Sequence, residues 1–476
     1  MLWRMRVLHV AVVAALLLTA CVSEAGPQTT PMTPTESVSP SGPTLPTASA
    51  PAVSYAGPSS AGVTPPASAA PISSGAVADA GVLYVWGADD GIYRYDGATG
   101  ALARVWGAST LARETAYGPY VLGRHGGITL LRWDGATEPK CPGGSFADVS
   151  IRGQCAFIGA GGDGAVYVDG GSGAQLLLPA DWGAASFTWS PDGAELAIVR
   201  NERRPDPVPQ YEPLWRNTLW HLDRHGALTK IFDSPNGMSF LFGLTWSFDR
   251  RLSVWESTTT SNSLAADGVG TTLHVVNVDT GAAVDLGTTL GKRAWAQWSL
   301  DGRLAFVSGG GRETWGNKQL VVLERDGTRR VVAGALGSTS GGATAAIAPA
   351  WQPIFGVPAR LAWIEGPAES IGASFDYFRG VGPAARRVAV LETPRSPVTL
   401  TCPGLVTEGV RWSADASAAL LLCRAPGVEQ HALQLWYASL VEAPRPLVTG
   451  LGEAGFGYYG LQPSLFDIVA WSLAGR

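Results

Sequence analysis

Phe187-Thr-Trp-Ser-Pro-Asp-Gly-Ala-Glu-Leu-Ala-Ile-Val199 is two short apolar runs hinged on Ser-Pro-Asp-Gly. Asp tolerates and Gly prefers the left-handed backbone of a tight turn, so the stretch predicts a β-hairpin. It recurs as Leu244-Thr-Trp-Ser-Phe-Asp-Arg-Arg-Leu-Ser-Val-Trp255 and Ala296-Gln-Trp-Ser-Leu-Asp-Gly-Arg-Leu-Ala-Phe-Val307. Weaker copies lie at Trp351-Gln-Pro353 with Leu361-Ala-Trp-Ile364, and at Val410-Arg-Trp-Ser-Ala-Asp415 with Leu420-Leu-Leu-Cys423. The repeated tryptophans, Trp189, Trp246, Trp298, Trp351 and Trp412, are 57, 52, 53 and 61 residues apart. A period near 50 is the length of one four-stranded blade, which predicts an all-β chain folded as a β-propeller.

Outward from these hairpins the pattern supplies third and fourth strands, such as Thr218–Asp223 followed by Leu228–Ile231. Hairpins counted along the chain place blades near residues 80, 115, 146, 184, 240, 292, 345 and 405, so eight blades are expected, with seven as the alternative. The first blade, with Leu83-Tyr-Val-Trp86 and Gly91-Ile-Tyr-Arg-Tyr95, lacks an inner strand, and the tail Ile468-Val-Ala-Trp471 offers one without outer strands. The C-terminal strand is therefore expected to complete the first blade and close the ring, leaving no open sheet edge.

The Trp-Ser-x-Asp-Gly repeat resembles the propeller repeats of the TolB family and of the propeller domains attached to prolyl oligopeptidases. The resemblance covers residues 187–425, while 80–183 share only the rhythm. It implies a propeller and, through TolB, a cell-envelope role. With no hydrolase domain following the propeller, a prolyl-oligopeptidase activity is not expected.

Before the repeats, Arg4 and Arg6 precede an apolar run, Val7 to Leu18, that is too short to span a membrane and predicts a cleavable export signal over 1–20. Leu18-Thr-Ala-Cys21 resembles the lipobox of bacterial lipoproteins, which implies lipidation of Cys21 and attachment to the extracytoplasmic face of the envelope. Residues 21–78 are dominated by Pro, Ser, Thr, Ala and Gly and contain no Lys or Arg, a composition unable to offset its ordering entropy. They predict a disordered tether of roughly 40 Å as a coil or up to roughly 175 Å as extended polyproline II. The propeller domain is assigned to 79–476.

Four further cysteines remain. Cys141 and Cys402 each precede Pro-Gly at the end of an outer strand, and Cys155 and Cys423 each fall in the next blade's second strand. Crossed pairs would span far more than the roughly 7 Å limit between Cα atoms. Disulfides Cys141–Cys155 and Cys402–Cys423 are expected, and they suit an exported protein better than a metal site.

Thirty-four Lys and Arg against 39 Asp and Glu give a net charge of −5, which offers no electrostatic footprint for nucleic acid. No Gly-x-Ser-x-Gly elbow, His-Glu-x-x-His, phosphate loop or calcium loop occurs, so no catalytic residue, metal or cofactor is assigned. Gly159-Ala-Gly-Gly-Asp-Gly164 fits a dinucleotide fingerprint formally, but a strand follows it instead of a helix, so it predicts a hairpin loop. His221, His274 and His431 lie in or beside strands and are expected to be structural. Asp192, Asp249, Asp301 and Asp415 are expected to bond their own turns, and the repeated tryptophans to be core.

Loops between second and third strands are long in four successive blades. They carry Arg203, Arg204, Tyr211 and Trp215; then Arg312, Glu313 and Trp315; then Phe375, Asp376, Tyr377, Phe378 and Arg379. Arginine and aromatic residues on long loops compose a candidate binding face. The function expected is a monomeric, non-enzymatic scaffold binding an envelope protein or peptide. The alternative is a carbohydrate-active enzyme or binder using Trp215, Trp315 and Tyr377 with Glu202, Glu212, Glu313 or Asp376.

Overall fold

Each Trp-Ser-x-Asp hairpin forms the two inner strands of a four-stranded antiparallel sheet, and eight such blades follow one another along the chain. The computed structural model describes residues 70–472, apart from 108, 116–117, 124–126, 142–143, 145, 160–163, 204–214, 235–239, 258–270, 290, 292–294, 310–317, 335–343, 354–358, 368–387, 393–395, 414–415, 426–432 and 453–468. All belong to the unit Pro65–Arg476. The fourth blade pairs Ala184–Trp189, Leu196–Arg203, Trp215–Leu222 and Leu228–Asp233 in that order, and the fifth pairs Phe240–Trp246, Arg251–Ser257, Thr271–Asn277 and Ala283–Thr288. The architecture is the all-β, eight-bladed propeller that the repeats predict. Helix is confined, among the described residues, to two single turns, Ala78–Ala80 and Ala180–Trp182.

The ring closes as expected and also in a second way. Val469–Trp471 pairs with Val82–Trp86 as the inner strand of the first blade. In addition, Ile72–Ser73 pairs with Arg445–Leu451 and adds a fifth strand to the outer edge of the eighth. Tyr95 donates to the Gly75 carbonyl (2.8 Å) and Ser73 to that of Gly100 (2.6 Å), so the lead-in segment is tied to the first and eighth blades alike.

The tryptophan repeat also joins the blades. Trp246 Nε1 donates to the carbonyl of Thr188, Trp298 to Thr245, Trp351 to Gln297 and Trp412 to Ala350, at 2.8–3.3 Å. Each acceptor is the residue just before the preceding blade's tryptophan, so one side chain fills the gap between two blades and fixes their register. The third blade has Val149 at the tryptophan position, and the indole of Trp189 reaches back to Asp148 O (3.3 Å). Buried apolar clusters run from blade to blade around the ring, with the largest joining Trp295, Ile364, Trp412 and Leu421. Two disulfides, Cys141–Cys155 and Cys402–Cys423, with Cα atoms 5.6 and 6.3 Å apart, link the second blade to the third and the seventh to the eighth.

The serine and aspartate of the repeat stitch the turns. Ser190 donates to Asp192 Oδ1 (2.6 Å) and accepts the amide of Glu195 (3.0 Å). Asp192 also accepts the amide of Ala194, a bond within its own turn. Asp249 and Asp301 instead accept the hydroxyls of Ser247 and Ser299 and the guanidiniums of Arg251 and Arg303. Those guanidiniums lie over the next blade's indoles, Trp298 and Trp351, at 5.1 and 4.6 Å from the ring centres. Asp415 lies outside the described residues.

Candidate functional site

In the fifth blade a charged residue takes the left-handed turn position of the repeat, which in the eighth is held by Ala416 at φ 57°. The fourth and sixth blades carry Gly193 and Gly302, left-handed at φ 68° and 87°, where the fifth carries Arg250 at φ 65°. A side chain in that region costs about 1–2 kcal/mol relative to ordinary backbone. Arg250 reaches into the neighbouring blade, where Nη1 donates to Glu195 Oε2 (2.7 Å), and its Nε donates to Asp279 Oδ1 (2.8 Å).

Glu195 is 4% exposed and sits in the turn that opens the second strand of the fourth blade. His221 Nε2 lies 3.0 Å from its Oε2, and Arg224 donates to Oε1 through Nη2 (3.3 Å) and Nε (3.4 Å). The His221 ring in turn meets the Trp246 indole edge-on at 6.1 Å. Burial pushes the Glu195 carboxyl up, but the hydrogen bonds and charges of Arg250 and His221 outweigh it and hold the group below 4.5. Burial works against the Arg250 cation as well, and Asp279 and Glu195 together still raise its pKa.

These groups line a cleft of about 250 Å3 between the fourth and fifth blades, with Asp223, His225, Thr229 and Val278 completing it. It opens among the hairpin turns, at the end of the strands opposite Arg203, Trp215, Ser257 and Thr271, which lead into the long loops. The Asp223 carboxyl is held low by the amides of Ala227 and His225, so both charge signs are present in the cleft at neutral pH.

Two results are expected from this arrangement. Arg250→Gly removes the strain of about 1–2 kcal/mol and loses a charged hydrogen bond to a buried carboxylate, about 1.5–3 kcal/mol, with the exposed Asp279 pair adding little. A net loss of about 1 kcal/mol in urea unfolding follows, and a gain would show that turn strain is the larger effect. The folded pKa of Glu195 is depressed, so its stabilisation is complete above the unfolded value and is lost as pH falls through the folded one. Thermal melts of Glu195→Gln should therefore differ from the parent at pH 7 and converge with it in acid, and a gap that persists in acid would contradict the cage.

A second buried acid, Glu256, accepts the Ser234 hydroxyl at one oxygen and lies 2.7 Å from His274 Nε2 at the other. The carboxylate stands between hydroxyl and imidazole. Activating a nucleophile requires the imidazole in the middle. His221 and His274 are thus bonded to buried glutamates, as a structural reading expects, and His431 lies outside the described residues. Gly159 N donates to Ala165 O (3.1 Å) at the facing ends of the antiparallel strands Cys155–Ile158 and Val166–Asp169, so a strand follows Gly164 where the fingerprint needs a helix.

Of the loop residues predicted as a binding face, Arg203 is exposed at the end of its strand, and Trp215 stands opposite it in register. Arg204, Tyr211, Arg312, Glu313, Trp315, Phe375, Asp376, Tyr377, Phe378 and Arg379 lie outside the described residues, as do Glu212 and Cys21. Glu202 is bracketed by Arg200 and Arg216 at 3.4 Å each. Sequence reasoning missed the cleft altogether. Its one signal was arginine in place of glycine at position 250.

No protein-family profile matches the chain, and no curated protein matches it. Among solved structures it is similar to dipeptidyl peptidase 4 of Porphyromonas gingivalis, at 11% identity and a TM-score of 0.46, over 80% of this chain and 61% of that one. It is similar also to acylaminoacyl peptidase of Pyrococcus horikoshii, at 14% identity and TM-score 0.37, over 71% and 52%. A TolB protein of Agrobacterium tumefaciens is similar at 16% identity and TM-score 0.32, over 52% of this chain and 87% of that one. The chain spans about half to three fifths of the length of these peptidases. The expectation of a non-enzymatic scaffold is corrected by the peptidases among these neighbours, and the exclusion of a peptidase activity is withdrawn with it.

Proposed function

We propose that this chain is a peptidase-like protein whose propeller engages peptides at the cleft between the fourth and fifth blades. The observation that supports this reading is the cage around Glu195. A buried carboxylate fixed by Arg250, Arg224 and His221 is preorganised, so binding a charged peptide group there incurs little reorganisation. The strain accepted at Arg250 fits the same reading, since strained backbone concentrates at functional sites. The export signal over 1–20 would direct the protein out of the cytoplasm and be cleaved, and Cys21 with the low-complexity segment that follows it would then hold the protein at the extracytoplasmic face of the envelope.

The test is to incubate the full chain with unstructured peptides of defined sequence, following binding by anisotropy of a labelled decapeptide and cleavage by mass spectrometry. Binding that weakens in Arg224→Gln, together with cleavage at a defined bond, supports the reading. Peptides that are neither bound nor cut overturn it. For the anchor, Cys21→Ala should shift the protein from the membrane to the soluble fraction and remove the acyl mass from its N-terminus, and an unchanged distribution refutes lipidation.

A further inference from the structure

The polar atoms that line the cleft are not all in use. Arg250 engages Nε and Nη1 and leaves Nη2, while Arg224 engages Nε and Nη2 and leaves Nη1. Asp223 takes both its turn amides on Oδ1, and Asp279 receives Arg250 on Oδ1, so each has an Oδ2 without a partner among the described residues. Four residues that line the cleft thus keep two guanidinium nitrogens and two carboxylate oxygens without partners among the described residues. Buried groups behind them keep both guanidiniums from turning away, because Glu195 holds one from each side.

We infer that the cleft binds a small zwitterion, a free amino acid or an unblocked dipeptide. Arg224 and Arg250 would take its α-carboxylate, and Asp223 on the fourth blade or Asp279 on the fifth its α-ammonium. Resting on the peptide reading, this narrows the ligand from a peptide chain to a piece of the size a peptidase releases. The volume supports the narrowing, for a cleft of about 250 Å3 lies below the roughly 300–1,000 Å3 of pockets that hold drug-sized ligands. The charge pattern supports it too. A plain anion would meet Asp223 and Asp279, and a plain cation would meet the two arginines. A molecule with both charges on one carbon or across one peptide bond satisfies both signs. Glu195 touches no ligand in this arrangement and acts as a positioning residue, holding the guanidiniums at the cleft wall.

The probe is glycyl-leucine, titrated calorimetrically into the full chain at low ionic strength, beside N-acetyl-glycyl-leucine and glycyl-leucinamide. One site should be saturated by the unblocked dipeptide, and either block should weaken binding about tenfold or more, the effect of losing a charged hydrogen bond. One of Asp223→Asn, which keeps Oδ1 for the turn, and Asp279→Asn, which keeps it for Arg250, should abolish discrimination against the acetylated form alone. Arg224→Gln should abolish discrimination against the amide alone. Equal binding of all three probes, or no binding of the unblocked one at millimolar concentration, overturns the inference. The labelled decapeptide separates this from failure of the peptide reading. A decapeptide that binds without displacement by glycyl-leucine sinks the zwitterion site and spares the function, whereas glycyl-leucine binding in a protein that ignores the decapeptide sinks the function and spares the site.

Discussion

Trp412→Ala is expected to lower the free energy of unfolding by about 3–5 kcal/mol, the cost of removing a large aromatic side chain from a closed core. Trp412 is 3% exposed, packs in the apolar cluster between the seventh and eighth blades and donates to Ala350 O. Trp412→Phe keeps most of the ring and removes the indole bond, so about 1–2 kcal/mol should be lost. The same truncation at Trp298, which is only partly buried and has Arg251 lying over it, should cost less. Urea unfolding of the three variants gives the order, and an equal or larger loss at Trp298 would show that the interblade bond, present at both sites, outweighs burial.

Replacing Cys402 and Cys423 together by alanine should cost about 3 kcal/mol, because the bond removes loop entropy from the unfolded chain over a separation of 21 residues. The Cys141–Cys155 pair, with a separation of 14, should be worth slightly less. Cys423 and Cys402 are 0% and 2% exposed, so a mild reductant should reach them only after the eighth blade opens. Reductant applied to the folded protein and removed before heating is therefore expected to leave its melting temperature unchanged, and the double replacements to lower it. A double replacement that melts like the parent would mean that native strain cancels the entropic gain.

The fold was legible because a propeller writes its period into the chain. Trp189, Trp246, Trp298, Trp351 and Trp412 do the same job at each blade junction, so their spacing reports the blade length directly. The closure was legible too, since the first blade's missing strand and the tail's unpartnered one are complementary deficits. The additional edge strand Ile72–Ser73 was not, because two residues in a segment of low-complexity composition carry no strand pattern. The cleft escaped for a different reason. Glu195, His221, Arg224, Arg250 and Asp279 come from separate turns and strands of two blades, and only blade packing brings them together. Read alone, each is an ordinary surface or strand residue, and long loops elsewhere drew the functional reading to the opposite face.

The strand Val469–Trp471 has a bearing on how the molecule is made. Trp471 bonds to Ala80 across 391 residues of sequence, so the first blade is complete only once the chain has been synthesised through residue 471. Until then Val82–Trp86 presents a bare row of amides and carbonyls, available to any other extended chain. Contacts of such separation form slowly, and refolding should end in a late phase during which the amide of Tyr84, which faces Ala470 in the closing strand, gains its protection from exchange. Every newly synthesised molecule thus passes through an open ring, and in that interval its first strand is exposed to pairing with a neighbour instead of with its own tail.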